Sequence, residues 1–197
     1  MADDKKSELA KVMTPKFRVS FPNVFHPKAV QEGQEPKYSI AMLFDNDADL
    51  SEMKRAAKKA LVAKWGKNPP KNLRSPFRNG EEKKQFEGYD ENVTFVTASS
   101  KQKPGLVDQN LKDIIDQEEF YAGCYARATL LAFPYDTMGN KGISFLLSNI
   151  QKLEEGEQIS GKTKAADDFD AIASEDNDFE IGGDENESSS DDDDFEF

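Results

Sequence analysis

Alternate residues of one run carry different chemistry. Phe120, Ala122, Cys124, Ala126 and Ala128 form a small apolar face that suits a tight barrel interior. Tyr121, Gly123, Tyr125, Arg127 and Thr129 form the other face, with two aromatic rings and a guanidinium at alternate positions. A groove for single-stranded nucleic acid needs flat rings on which bases stack and cations along the phosphate path. The plainer reading is that the tyrosines pack beneath a loop and use their hydroxyls structurally. Taken alone, the run favours neither.

Other stretches add to it. Lys16 and Arg18 make a second cationic strand face, opposite Phe17, Val19 and Phe21. Ser99 to Gly105 is a polar, basic loop carrying Lys101 and Lys103. Between residues 66 and 92, Arg74, Arg78 and several lysines interleave with Phe77, Phe86 and Tyr89. Each element is weak, and together they define a candidate DNA-binding set: Lys16, Arg18, Arg74, Arg78, Lys101, Lys103, Tyr121, Tyr125 and Arg127.

Familiar enzyme chemistry finds little to work with. The single cysteine, Cys124, permits no internal disulfide and reads as a buried small apolar residue in a reducing compartment. The single histidine, His26, sits before Pro27 and reads as a loop residue, with too few partners for a metal site or catalytic triad. Neither a metal nor a cofactor is expected. Residues Gly156 to Thr163 match the phosphate-loop pattern Gly-x-x-x-x-Gly-Lys-Ser/Thr letter for letter. That loop must join a strand to a helix so that N–H groups converge on phosphate. Here three glutamates flank its start and an acidic run follows, so chance in a polar linker is the better reading. The rival classes are a metal-dependent nuclease built on scattered carboxylates, and an acidic-tailed chaperone or DNA mimic that binds basic proteins.

Charge is very unevenly placed. The net charge of the 197 residues is −12, which taken whole argues against nucleic acid. Residues 165–197, however, hold fifteen acids and no base, while residues 1–164 hold 26 bases against 23 acids. A mildly basic body thus carries a strongly anionic tail, expected to be disordered. Its phenylalanines each sit beside acids. The ending Asp191, Asp192, Asp193, Asp194, Phe195, Glu196, Phe197 reads as a short docking peptide for a basic pocket with an apolar hole. A flexible tail of this length spans about 30 Å r.m.s.. It can reach any groove on its own domain and compete there with nucleic acid.

The elements that must position these groups follow from periodicity. Strands are expected over 16–25, 37–44, 93–99 and 120–133, with a hairpin turn at 135–140 leading into a strand over 142–152. Leu50, Met53, Ala57, Leu61 and Trp65 recur at helical spacing, with Asp49 and Glu52 as a capping box. The lysines and arginine on that helix's other face read as a solvated surface. The expected organisation is a flexible N-terminus over 1–11, one domain over 12–161 and an acidic tail over 162–197. Five strands, one main helix and long loops suggest a mainly β chain with a small Greek-key barrel, the OB-fold. No apolar run approaches the ~20 residues of a membrane span, and the charged N-terminus lacks the apolar core of a signal peptide.

Several short motifs in order resemble the phage single-stranded-DNA-binding proteins with an OB-fold. They are Pro76-Phe77-Arg78-Asn79-Gly80 through Gly88-Tyr89, Ala98-Ser99-Ser100-Lys101, Gly123-Cys124-Tyr125-Ala126-Arg127-Ala128 and Gly139-Asn140-Lys141-Gly142. The tail is similar in style to those of phage and bacterial single-strand binders, although it ends Phe-Glu-Phe where theirs end in acids and one Phe. The resemblance implies a non-enzymatic binder of single-stranded DNA in phage replication, recombination and repair, in the cytoplasm of the infected bacterial host. It also implies a tail that recruits a polymerase, helicase or primase, and it leaves room for a homodimer.

Overall fold

The computed structural model describes residues 11–159. Eight strands form one sheet: β1 (Lys11–Met13), β2 (Phe17–Lys28), β3 (Lys37–Asp45), β4 (Arg78–Asn79), β5 (Val93–Ser100), β6 (Gly105–Val107), β7 (Tyr125–Thr137) and β8 (Asn140–Glu154). The helix α1 (Ser51–Trp65) lies between β3 and β5. Five strands close on themselves in the order β7-β2-β3-β5-β8, with β8 pairing back to β7. All these pairings are antiparallel except β5 with β8. This closed five-stranded circuit is the OB barrel. The short strands β1, β4 and β6 extend it from β7, β5 and β8.

Alternation puts one side of each strand inside. Phe17, Val19, Ile40, Met42, Phe44, Val96, Ala98, Ala126, Ala128, Leu130, Phe145 and Leu147 share the main core. The small alanines of β7 leave room for α1, which packs on β1, β7 and β8 through Met53, Ala56, Ala57 and Ala60. Asp49 and Glu52 do not form a capping box. The Asp49 carboxylate instead accepts from the Ser51 N–H at 2.9 Å, and Glu52 pairs with Arg55 at 2.9 Å. Gly66 ends the helix at φ +63°, a left-handed conformation that glycine adopts without strain.

Three strand readings need correction. Phe21 does not share the face of Phe17 and Val19. Pro22 has no N–H for the ladder, and the register shifts between Ser20 and Asn23. Phe21 takes φ +44° and joins a second apolar cluster outside the barrel. His26 lies within β2, not in a loop; its Nε2 is 2.8 Å from Gln117 Nε2. The strand expected from Phe120 begins only at Tyr125, because residues 120–124 turn around Gly123, which has φ +113°. Cys124 is fully buried, and that burial pushes its thiol pKa up. Among the described residues no helix is long and apolar enough to cross a membrane.

Candidate nucleic-acid interface

Because Ile40, Met42, Phe44, Val96 and Ala98 point inward, Ala41, Leu43, Phe95 and Thr97 point outward. Register then draws a row across five strands. Tyr125 pairs Arg18, Arg18 pairs Leu43, Leu43 pairs Phe95, and Phe95 pairs Arg78. The parallel row Ser20, Ala41, Thr97 lies beside it. In OB-folds this outer surface is the one that takes oligonucleotides.

Half of the surface is roofed by the chain itself. Leu43 and Phe95 are covered by Tyr89, Val93 and Ile159, with Phe21, Phe86 and Ala122 around them. The Tyr89 hydroxyl is buried and hydrogen-bonds Ser20 Oγ at 3.0 Å, and burial raises its pKa. Lys83 lies over the rings of Phe21, Tyr89 and Phe95, its Nζ 5.1 Å from the Phe95 centroid. Burial, with some help from Arg78, holds the Lys83 ammonium pKa below the ordinary lysine value. Arg78 sits over Phe95 as well, at 4.9 Å, and pairs with Glu82 at 2.5 Å.

The other half is open and holds two hollows that share Thr97. One, of about 550 Å³, is lined by Arg74, Phe77, Arg78, Tyr135 and Ser144 among others. The second, of about 410 Å³, is lined by Lys28, Lys37, Glu35, Ser39 and Ser99 among others. Beside the first, Gly142 lets the Arg74 backbone and the Tyr135 hydroxyl approach β8 closely. A Cβ there would lie 2.6 Å from the Arg74 carbonyl oxygen and 2.8 Å from the Tyr135 hydroxyl. The Arg74 backbone is pinned on β8, donating to Lys141 O at 2.9 Å and accepting from Ile143 N–H at 3.2 Å. Its side chain therefore stands exposed at the rim of the hollow.

The candidate residues therefore fall into two groups. Arg74 and Arg78 line the open groove. Lys101 is at its far end, paired at 2.5 Å with Glu35, and Lys103 is exposed with Nζ 6.0 Å from the Phe25 centroid. Lys16, Arg18, Tyr121 and Tyr125 lie elsewhere, beneath residues 154–157. Lys16 pairs with Glu154 at 3.3 Å and sits 5.3 Å over the Tyr125 ring. The Arg18 Nη2 donates to Glu157 O at 2.8 Å, and its Nε is buried without a hydrogen-bond partner among the described residues. The Tyr121 hydroxyl donates to Glu155 Oε2 at 2.6 Å and accepts from Gly156 N–H at 3.3 Å. Lys152, which pairs with Glu155 at 2.6 Å, and the Tyr121 hydroxyl together hold the Glu155 carboxyl below its ordinary pKa. Arg127 is exposed and donates to Gln151 at 2.9 Å. The two tyrosines are thus half-buried against residues 154–157.

The covering segment accounts for the described part of the phosphate-loop match. Gly156 to Ile159 lies along residues 121–123 without helical structure, with Ile159 N–H donating to Ala122 O at 2.9 Å. Residues 160–163 of the match lie outside the described residues, as do the tail candidates Asp191–Asp194, Phe195 and Phe197. Thr97, Tyr135, Lys28 and Lys37 are groove residues that sequence reasoning passed over. For Thr97 the only local signal was its alternation, with Ser99, around buried Ala98. Among the described residues no group of three His, Cys, Asp or Glu could hold a metal ion.

Comparisons with known proteins agree with this fold. The single-stranded-DNA-binding protein of bacteriophage Enc34 in complex with single-stranded DNA superposes with a TM-score of 0.66 at 19% identity, covering 78% of this chain and 90% of that one. Gp2.5, a single-stranded DNA binding protein encoded by bacteriophage T7, superposes with a TM-score of 0.55 at 15% identity, covering 84% and 100%. At these identities the likeness is one of fold. In sequence, protein p50 of Acyrthosiphon pisum secondary endosymbiont phage 1 is 28% identical over 176 residues, 83% of this chain and 94% of that protein. The family described as the Enterobacter phage Enc34 single-stranded-DNA-binding protein matches residues 10–180. That span is most of the chain, and the chain belongs to this phage family.

Proposed function

We propose that the protein binds single-stranded DNA across the outer face of β3 and β5 and catalyses no reaction on it. Family membership supports the ligand. The observation that carries the site is the pair of open hollows meeting at Thr97, with Arg74, Arg78, Lys28 and Lys37 along them and Phe77 and Tyr135 beside them. Phosphates would run along the cations while bases stack on the rings, each stack worth roughly 1–3 kcal/mol with slight sequence preference. The setting is phage DNA replication or recombination in the host cytoplasm. The acidic tail, ending in Phe195 and Phe197, competes for the groove and recruits a polymerase, helicase or primase, and a homodimer is compatible with this role.

The test is a salt series of oligo-dT binding by fluorescence polarisation, on the full chain and on a chain ending at residue 164. The expected outcome is affinity that falls with salt at about −0.7 in log–log slope per phosphate contact, and tighter binding without the tail. No affinity in either chain would overturn the reading and favour a binder of basic proteins. Equal affinities would leave DNA binding standing and remove the competition.

A further inference from the structure

The hairpin that borders the open groove ends in a turn whose first residue does not suit it. β7 and β8 stay in register to the tip, with Tyr135 opposite Gly142, Asp136 opposite Lys141 and Thr137 opposite Asn140. Met138 and Gly139 make the connection, at φ +50° and +79°. A two-residue hairpin loop with both φ values positive is a type I′ turn, and its first position normally holds Asn, Asp or Gly. A longer side chain held there costs free energy, because its Cβ crowds the backbone. Gly139 suits its place, while Asn140 stands too late in the chain to fill the first.

Strain of this kind persists where something else offsets it. Among the described residues, Phe21 and Leu111 are the other non-glycine residues at positive φ. Phe21 packs in the outer apolar cluster against Phe86 and Tyr89. The turn at Leu111 is fixed by Asp108, whose carboxylate accepts from the Asn110 and Lys112 N–H groups at 2.7 and 2.9 Å. Met138 has no such compensation. It is 97% exposed, more than any other large hydrophobic residue of the described chain, and packs on nothing in its own fold.

Its position says what it would meet. Asp136 and Lys141 form an ion pair at 3.3 Å just below the tip. The Arg74 backbone is bonded to β8 on both sides of Gly142, so the tip stands on a braced ladder. Tyr135 and Ser144 of the same hairpin line the larger open hollow with Arg74 and Phe77. Met138 lies three residues beyond Tyr135, about 10 Å along the strand. A stacked strand rises about 3.4 Å per base, so the tip stands about three bases from one stacked on Tyr135. A thioether is slender, unbranched and polarisable, and it makes favourable contact with aromatic faces. Apolar side chains of this sort, Met among them, enter between neighbouring bases and part them.

We propose that Met138 is a wedge that enters a stacked base step of the DNA strand where the strand leaves the groove beside Tyr135. The wedge keeps the strand from restacking and folding back as it passes the tip. The strained turn is the condition for this, since it holds an apolar side chain outward on a rigid hairpin with no fold contact to give up. The proposal rests on DNA binding in this groove and adds to it a named residue and the step it parts.

Full-length protein carrying ¹³C at the methionine methyl groups tests this, with oligo-dA as the probe because stacking is strongest between purines. Fluorescence polarisation reports saturation separately. Met42 and Met53 are fully buried and serve as internal references, and the Met138 signal is the one missing from Met138→Leu. Ring currents of the flanking bases are expected to move the Met138 methyl upfield in the complex while the references stay in place. Met138→Asn supplies a residue that the turn prefers. It should raise the thermal midpoint by about 2–4 °C yet weaken oligo-dA binding roughly 5-fold or more. Met138→Leu keeps an apolar wedge and should bind as the parent does. A Met138 methyl that stays still on saturated protein would overturn the wedge and leave DNA binding in the groove intact. So would undiminished affinity in Met138→Asn, or a loss in Met138→Leu equal to that in Met138→Asn. Absence of oligo-dA binding in the parent chain would overturn both the wedge and the groove.

Discussion

Gly123 and Gly156 face each other so closely that neither position has room for a side chain. A Cβ on Gly156 would overlap the Gly123 carbonyl oxygen, and one on Gly123 would overlap the Glu157 carbonyl oxygen. This contact holds residues 155–159 down over Arg18, Tyr121 and Tyr125. Gly156→Ala is expected to lift the segment and to destabilise the fold by about 1–3 kcal/mol, the usual cost of overpacking. Urea denaturation reads the stability, and hydrogen exchange at the Ile159 amide reads the segment. A protected Ile159 amide in the variant would mean that something other than this contact fastens it.

Acid should loosen the same segment through Glu155. Its folded pKa is depressed, first by Lys152 and then by the Tyr121 hydroxyl. The attachment is therefore fully present above the ordinary glutamate range and is lost as pH falls through the lowered value. Faster exchange of the Ile159 amide, corrected for intrinsic rate, is expected as pH falls below the ordinary glutamate range. Glu155→Gln keeps the shape and removes the titration, so its profile should be flat over that range. A wild-type profile as flat as the variant's would assign the fastening to the glycine contact alone.

How much of this was readable without coordinates depends on how local the signal is. The small apolar face placed Cys124, Ala126 and Ala128 in the barrel interior correctly, because pleating alone fixes which side each residue takes, whereas Ala122 of the same run packs on the outer cluster. The face of Phe21 was lost to a bulge at Pro22 that strand periodicity does not foresee. The cover over Tyr121 and Tyr125 has no periodic signature, since Gly156 to Ile159 is held by contacts to residues more than thirty positions earlier. The groove was hidden for the same reason. Thr97 is a small polar strand residue, and only the fold brings it beside Arg74 and Tyr135.

Arg74 provides the cleanest test of the groove's electrostatics. Its backbone is fixed by two hydrogen bonds to β8, and its exposed side chain has no ion-pair partner among the described residues. Arg74→Ala should thus leave the denaturation midpoint unchanged. In oligo-dT titrations the salt slope should fall by about 0.7, one phosphate contact fewer. An unchanged slope would move the DNA path away from this rim.

Stacking separates the open groove from the covered platform. Tyr135 lines the open hollow beside Phe77, while Tyr125 lies under Lys16, whose ammonium is paired with Glu154. Tyr135→Ala should weaken oligo-dT binding by about 1–3 kcal/mol, the value of one base stack, which is roughly 5- to 150-fold in Kd. Tyr125→Ala in the same full-length chain should cost less, because a base would first have to displace Lys16. Lifting the cover with Gly156→Ala should raise the Tyr125 effect and leave the Tyr135 effect unchanged, a non-additivity that a double-mutant cycle measures directly. A larger loss at Tyr125 than at Tyr135 in the unmodified chain would reverse the assignment: DNA would then run along β7, with residues 155–159 displaced on binding.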